Sequence, residues 1–228
     1  MKATLVESRE LAPEIRHFRF AADVAEFLFE PGQFVSLTAP VRGKTITRAY
    51  SLASTPSGNA FELCLNRVDD GYLSPHLFSL QPGDTIDFTG PVGTFVWRKT
   101  GADAILVATG TGIAPFRGMV QQALQSGDAR RIHLIFGVRH EAHLLYRREF
   151  EALADQHANF TFTPTLSRPG EHWTGHTGHV QPHVFEALGE RRDVEVYICG
   201  LKAMVDDVRA RLKEAGLDRK RIIYEKYD

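Results

Sequence analysis

The 228-residue chain reads as two successive domains of different class. Residues 1–99 read as an antiparallel β-sandwich or barrel, and residues 100–228 as a doubly wound, parallel α/β domain. Three observations predict this. Short β-rich runs separated by turn signals fill the first hundred residues. After Lys99-Thr100-Gly101, continuous apolar runs alternate with amphipathic helices. A glycine loop, Thr109-Gly110-Thr111-Gly112, joins the first of those apolar runs to a helix.

In the first part the expected strands are Ile15–Phe20, Phe34–Thr38, Phe61–Leu65 and Thr85–Thr89. Pro31-Gly32, Gln81-Pro82-Gly83-Asp84 and Gly90-Pro91 are the turns between them. One helix interrupts the strands, with Ser74 as its N-cap and Pro75 at its first position. In the second part Ala104–Ala108 and Ile132–Phe136 are apolar throughout, as in strands buried on both faces. Phe160–Leu166, Val194–Cys199 and Arg221–Glu225 complete the strands. Pro115–Leu124, Arg147–Ala158 and Met204–Ala215 are helices, the last closed by Gly216. Met204 and the apolar stripe of that helix belong to the core.

Composition excludes several functions. Lysine plus arginine number 27 and aspartate plus glutamate 28. The halves are balanced too, with 10 basic and 11 acidic residues in 1–100 and 17 of each in 101–228. A nucleic-acid partner calls for a basic surplus, which is missing. Cys64 and Cys199 are too few for a four-thiolate cluster or a four-cysteine zinc site. The N-terminus shows no apolar signal segment, and no run reaches membrane-spanning length. A cytoplasmic protein without a membrane segment is expected.

The glycine loop carries the first chemical signal. Glycines between a buried strand and a helix let the backbone approach a pyrophosphate, and the helix N-terminus offers N–H groups. Taken alone, such a glycine is equally an ordinary turn. Pro115 stands where the usual dinucleotide fingerprint has its third glycine. Gly137, Ser167-Arg168 and Cys199-Gly200 follow the next strands, so four strand ends line one edge of one sheet. Arg48-Ala49-Tyr50-Ser51 offers a cation, an aromatic face and a hydroxyl within four residues. A surface arginine beside a half-buried tyrosine would look the same. Gly71 and the Ser74 helix start form a further candidate anion site. His172, His176, His179 and His183 have metal-like spacing, but Pro169, Gly170, Gly175, Gly178 and Pro182 break any helix there. A solvated loop is expected, and no metal site.

Together these segments resemble the ferredoxin–NADP reductase family. Arg48–Ser51 resembles its R-x-Y-S flavin motif, and Thr109–Phe116 with Arg117 its G-T-G-I-A-P-F-R loop. Phe136-Gly137-Val138, Leu144-Leu145-Tyr146, Ser167-Arg168, Cys199-Gly200-Leu201-Lys202, Gly71–Ser74 and Gly90–Gly93 are similar to further blocks, in the same order. The resemblance implies FAD on an N-terminal antiparallel β-barrel (1–99) and NADP or NAD on the C-terminal α/β domain (100–228). Arg48 would contact the flavin diphosphate, and Tyr50 would pack on the flavin ring. Ser51 would sit beside the nitrogen that accepts the hydride. Cys64, Leu65 and Asn66 match a strand beside the flavin, and Gly71 and Ser74 a diphosphate segment. Gly110, Thr111, Gly112 and Pro115 would face the nicotinamide coenzyme, with Cys199 and Gly200 near its ring. Glu225 matches a carboxylate at the transfer site. Tyr227 matches a tyrosine that covers the flavin, although Asp228 follows it.

The resemblance leaves choices open. Val68-Asp69-Asp70 is short and holds no aromatic to stack an adenine, so FMN is an alternative to FAD. Ser167 and Arg168 suit a 2′-phosphate, whereas Pro169–His183 resembles NADH-using oxygenase reductases. Electrons from NAD(P)H would leave to a separate carrier, ferredoxin or flavodoxin. The alternatives are an NAD(P)H:flavin reductase, which Tyr50 disfavours, an oxygenase reductase component, or a non-catalytic electron-transfer subunit. Pro115 and the leading β part disfavour a plain dehydrogenase.

Overall fold

The computed structural model describes residues 1–227, so Asp228 lies outside it. The chain forms two compact units, residues 1–97 with 114–122, and residues 98–113 with those from 123 onward.

The first unit is an antiparallel sheet of β1 (Lys2–Ala12), β2 (Ile15–Ala22), β3 (Phe34–Val41), β4 (Lys44–Ser51), β5 (Ala60–Asn66) and β6 (Thr85–Val92). Their order is β4-β3-β6-β1-β2-β5. A bridge between Leu52 and Leu63 then joins the β4 end to β5, and the Ala53 N–H donates to the Glu62 carbonyl at 2.8 Å. The row of strands thus closes into a barrel, which removes the exposed edges an open sheet would leave. Inside lie Phe18, Phe20, Phe61, Phe88, Leu37 and Leu63, all fully buried. Their rings meet at 5.2 Å between Phe61 and Phe88 and at 5.5 Å between Phe20 and Phe61.

Alternation explains the outer face of β2 and β5. Phe18 and Phe20 point inward, so His17 and Arg19 point outward, opposite Cys64 and Glu62. This face is covered within the same unit by the start of α2 (Ala114–Gln125). Arg117 of α2 donates to Glu62 Oε2 at 2.6 Å and to the Ala53 carbonyl at 2.7 Å.

The second unit is a parallel sheet of β7 (Ala104–Thr109), β8 (Ile132–Val138), β9 (Phe160–Leu166), β10 (His176–Thr177), β11 (Glu195–Leu201) and β12 (Ile222–Tyr227). The order β10-β9-β8-β7-β11-β12 starts in the middle, runs outward, and returns to the other side of β7. The reversal between β7 and β11 is the switch point at which such sheets bind ligands. The helices are α3 (Arg147–Gln156), α4 (Val180–Leu188) and α5 (Lys202–Glu214). Ile105, Val107, Val184, Val196, Ile198 and Val205 form the core between sheet and helices.

Three expectations need correction. The helix of the first unit, α1 (Leu73–Ser79), has Tyr72 at its N-cap. Ser74 therefore lies in the first turn, and its Oγ accepts from the Val68 N–H at 2.9 Å. The stretch expected to be loop contains β10 and the start of α4. Pro182 does not break α4, because it falls in the first turn, where backbone N–H groups have no intrahelical partner. β1 and β4 are strands where none was expected.

Candidate cofactor sites

On the barrel, β4 carries the R-x-Y-S residues in its own ladder. Leu37, Val35 and Phe34 of β3 pair with Arg48, Tyr50 and Ser51. Arg48 is exposed, Tyr50 half-buried and Ser51 buried. Burial pushes the Tyr50 hydroxyl up to about 12, with the Arg48 charge opposing it, so the phenol stays neutral. The Arg48 guanidinium donates to the Thr47 carbonyl at 2.8 Å. Ser74 uses its Oγ as acceptor, which leaves its proton to donate. Gly71 closes a tight turn through its N–H to the Val68 carbonyl, and an added Cβ would lie 2.8 Å from that oxygen. A cation, a neutral phenol ring and a hydroxyl donor are the groups a flavin diphosphate and ring require, so this donor set fits FAD.

Not all expected residues offer a surface. Leu65 is part of the barrel core and Cys64 is buried, whereas Asn66 is exposed. Contacts from Leu65 to a cofactor would have to come from its main chain. Pro115 is buried as the second residue of α2. A cleft of about 160 Å³ on the barrel is lined by Arg19, Ser54, Ser57, Glu62, Arg117 and Gln121 and by none of the expected cofactor residues.

In the parallel unit, glycines lock the ends of β7 and β11 together. A Cβ on Gly112 would lie 2.4 Å from the Cys199 carbonyl oxygen. One on Gly200, at φ +141°, would lie 2.3 Å from Thr109 Oγ1. The same Thr109 Oγ1 accepts from the Leu201 N–H at 3.3 Å. Gly110, at φ +55°, instead has open space where a side chain would be. An open main-chain turn after a central strand fits a coenzyme pyrophosphate.

The parallel register of β11 with β12 places Cys199 beside Glu225 and Leu201 beside Tyr227. Cys199 is fully buried. Its thiol is pushed well up, first by burial and then by the Glu225 carboxylate, while a hydrogen bond with Tyr227 pulls the other way. It is therefore a neutral thiol and not a nucleophile. The structure thus brings Gly110, Thr111, Gly112, Cys199, Gly200, Glu225 and Tyr227 to one end of the sheet.

Ser167 and Arg168 continue β9 past its end. The Ser167 N–H donates to the Val138 carbonyl at 3.0 Å, and the Arg168 N–H to the Arg139 carbonyl at 2.8 Å. His140 Nδ1 lies 2.9 Å from the Arg168 carbonyl. Arg139 and Arg168 are both exposed, so two guanidinium groups stand at adjacent strand ends. Sequence reading missed Arg139, whose signal was its place directly after Gly137-Val138. Of the four spaced histidines, His176 and His183 stack edge-on at 5.0 Å. Among the described residues no group of three or more metal-ligating side chains converges, and no helix is long and apolar enough to cross a membrane.

The Oxidoreductase FAD-binding domain family matches residues 2–97, and the Oxidoreductase NAD-binding domain family matches residues 106–210. The fold and the two matched domains are those of an FAD- and NAD-binding oxidoreductase. Ferredoxin--NADP reductase B of Sorangium cellulosum is 42% identical over 238 aligned residues, covering 100% of this chain and 97% of that protein. The chain belongs to the ferredoxin–NADP reductase family. The phenol hydroxylase P5 protein of Acinetobacter pittii is 33% identical over 99% of this chain, which spans 65% of that protein. The Amycolatopsis cytochrome P450 reductase GcoB superposes with a TM-score of 0.90 at 30% identity, covering 99% of this chain and 69% of that one.

Proposed function

We propose that this protein oxidises NADPH through FAD and passes the electrons to a separate one-electron carrier, a ferredoxin or flavodoxin. Residues 1–99 serve as the flavin domain and residues 100–228 as the nucleotide domain. The observation that carries the reading is the glycine-locked end of β7 and β11, with Glu225 and Tyr227 in register beside Cys199. The 42% identity to a ferredoxin--NADP reductase over the whole chain supports it. Assignment to the cytoplasm is supported by two buried cysteines, neither in a disulfide.

The chemistry FAD supplies when bound is acceptance of a hydride and release of the electrons one at a time. The residues of the chain bind, orient and exclude water. Arg48 and Ser74 hold the diphosphate by charge and by a donated hydroxyl proton. The neutral Tyr50 ring packs on the flavin, and Ser51 donates to its ring edge. The Gly110–Gly112 turn takes the coenzyme pyrophosphate on backbone N–H groups, which needs no cation. Cys199 acts as a small, uncharged wall, with Glu225 in register beside it. Arg139 and Arg168 favour NADPH over NADH, because guanidinium groups pair with a 2′-phosphate.

Ser51→Ala and Glu225→Ala test these roles. Each is expected to slow hydride transfer about 100-fold or more while flavin content stays unchanged, the order of effect of one positioned donor or acid–base group. Unchanged transfer in both removes the assignment. A second reading, the reductase component of an oxygenase, is favoured by the match to the phenol hydroxylase P5 protein. Reduction of a ferredoxin or flavodoxin at rates far above those with free flavin separates the proposal from a flavin reductase.

A further inference from the structure

We infer that the cleft on the outer face of the barrel binds the phosphate group of a small metabolite. The cleft has a volume of about 160 Å³ and lies wholly within the first unit. At ~30 Å³ per water it holds the volume of about five waters, room for a phosphate on a short stem and too little for a dinucleotide. None of the residues expected to hold flavin or coenzyme lines it. Alternation along β2 and β5 turns Arg19 and Glu62 outward from the barrel core. The loop after β4 contributes Ser54, Thr55 and Ser57, and α2 contributes Arg117 and Gln121. The last two are four residues apart, so they share one face of α2. Gly118 lets the helix lie close, since a Cβ there would stand 2.5 Å from the Ser54 carbonyl oxygen.

The lining holds more donors than the protein itself uses. Arg117 meets Glu62 at 2.6 Å, which balances that carboxylate. His17, 3.7 Å from the same carboxylate, is neutral at pH 7 because burial holds it down at about 4. Arg19 is exposed. Among the described residues it makes no ion pair or hydrogen bond, although Glu7 and Glu62 stand opposite it on β1 and β5. One positive charge is therefore left over among the lining residues. Ser54 is buried, and its Oγ accepts from the Glu62 N–H at 3.2 Å, which leaves its proton to donate. Thr55 and Ser57 add two hydroxyls that have no side-chain partner among the described residues. One guanidinium and three hydroxyls thus line one small space. A phosphate monoester brings a charge of about −1.5 to −2 and three terminal acceptor oxygens. A guanidinium pairs with two such oxygens side by side. A carboxylate has only two oxygens and leaves hydroxyls unmet, and a neutral ligand leaves Arg19 unpaired.

The test is calorimetric titration of the full, flavin-loaded chain with inorganic phosphate, with glycerol phosphate, and with malate as the carboxylate comparison. Saturating NADP+ is present throughout, so that the coenzyme's own phosphates occupy their site. Saturable binding of a phosphate is expected, about 3-fold or more tighter than malate, the order of one further hydrogen bond. Arg19→Ala is expected to weaken phosphate about 10-fold or more, as loss of a charged hydrogen bond does. Ser57→Ala is expected to weaken it about 2- to 10-fold. Lys213→Ala removes the same charge from the other unit and is expected to leave affinity within about twofold. Arg19 has no partner to lose, so the unfolding midpoint of Arg19→Ala without phosphate should stay within about 2 °C of the parent. Binding of glycerol phosphate but not of inorganic phosphate supports the inference and shows that the stem is read as well. No saturable binding of either phosphate, or Arg19→Ala binding as tightly as the parent, overturns the site. Malate binding as tightly as the phosphates overturns the choice of ligand.

Discussion

Replacing Arg117 with methionine isolates the interaction that holds the start of α2 on the barrel unit. Arg117 and Glu62 meet at 2.6 Å with side chains 13% and 23% exposed, and the Ala53 carbonyl takes a second bond at 2.7 Å. Removing one partner of a buried pair costs ~3–5 kcal/mol, because the other charge stays behind unpaired. Glu62 retains some solvent, so the lower end applies, about 3 kcal/mol. Methionine preserves most of the packing volume, so the loss reads as electrostatics. At ~2–4 °C per kcal/mol for a chain of this size, the midpoint should fall by roughly 6–12 °C. The assay is thermal unfolding at pH 7 followed by circular dichroism. Adding Glu62→Gln to Arg117→Met removes the stranded charge and should recover much of the loss. A drop under about 1 °C in the single variant, or a double variant worse than the single, would refute the reasoning.

Other consequences follow from the same geometry. Burial holds His17 down at about 4, with Arg117 adding to that and Glu62 opposing it. Its folded value lies below its usual 6.5, so the folded state binds fewer protons. Stability from this group is present above pH 6.5 and is lost as the pH falls towards 4, by an amount on the order of 3 kcal/mol. His17→Gln should flatten that acid limb of a denaturant titration, and an unchanged limb would count against it. Gly112→Ala forces a Cβ to within 2.4 Å of the Cys199 carbonyl oxygen. Overpacking of ~1–3 kcal/mol should lower kcat/KM for NADPH about 5- to 100-fold, with flavin content unchanged. Arg139→Ala and Arg168→Ala should each weaken NADPH about 10- to 100-fold and leave NADH alone, as loss of a charged hydrogen bond does. Steady-state kinetics with the two coenzymes checks this.

The sequence made the buried elements legible and the open ones obscure. β7, β8 and β11 are apolar runs because both faces are covered, and they were read within a residue or two. β4 escaped because its side chains are nearly all exposed or half-buried, which leaves no alternation to detect. That openness is what makes β4 a binding surface. β1 escaped because a register shift between Leu5 and Glu7 breaks its period. α4 was hidden behind Pro182, since a proline in the first turn looks the same on paper as one that ends a helix. Ser74 looked like a cap, yet its hydroxyl takes the Val68 N–H instead. The glycine loop, Arg48–Ser51 and the strand-end residues could be named from pattern, whereas Cys64–Asn66, Glu225 and Tyr227 came only from the family resemblance. Their grouping could not, because the pairing of Cys199 with Glu225 depends on the register of two strands more than twenty residues apart. Arg139 was missed because it gains meaning only from Arg168, a neighbour brought in by the fold.

The central claim is that electrons pass from NADPH to bound FAD within this chain. Anaerobic stopped-flow mixing of the purified, flavin-loaded protein with NADPH, and separately with NADH, tests it through the visible flavin absorbance. The account predicts rapid bleaching, faster with NADPH than with NADH. A flavin that stays oxidised with both coenzymes, or a chain that retains no flavin after addition of FAD, would contradict it.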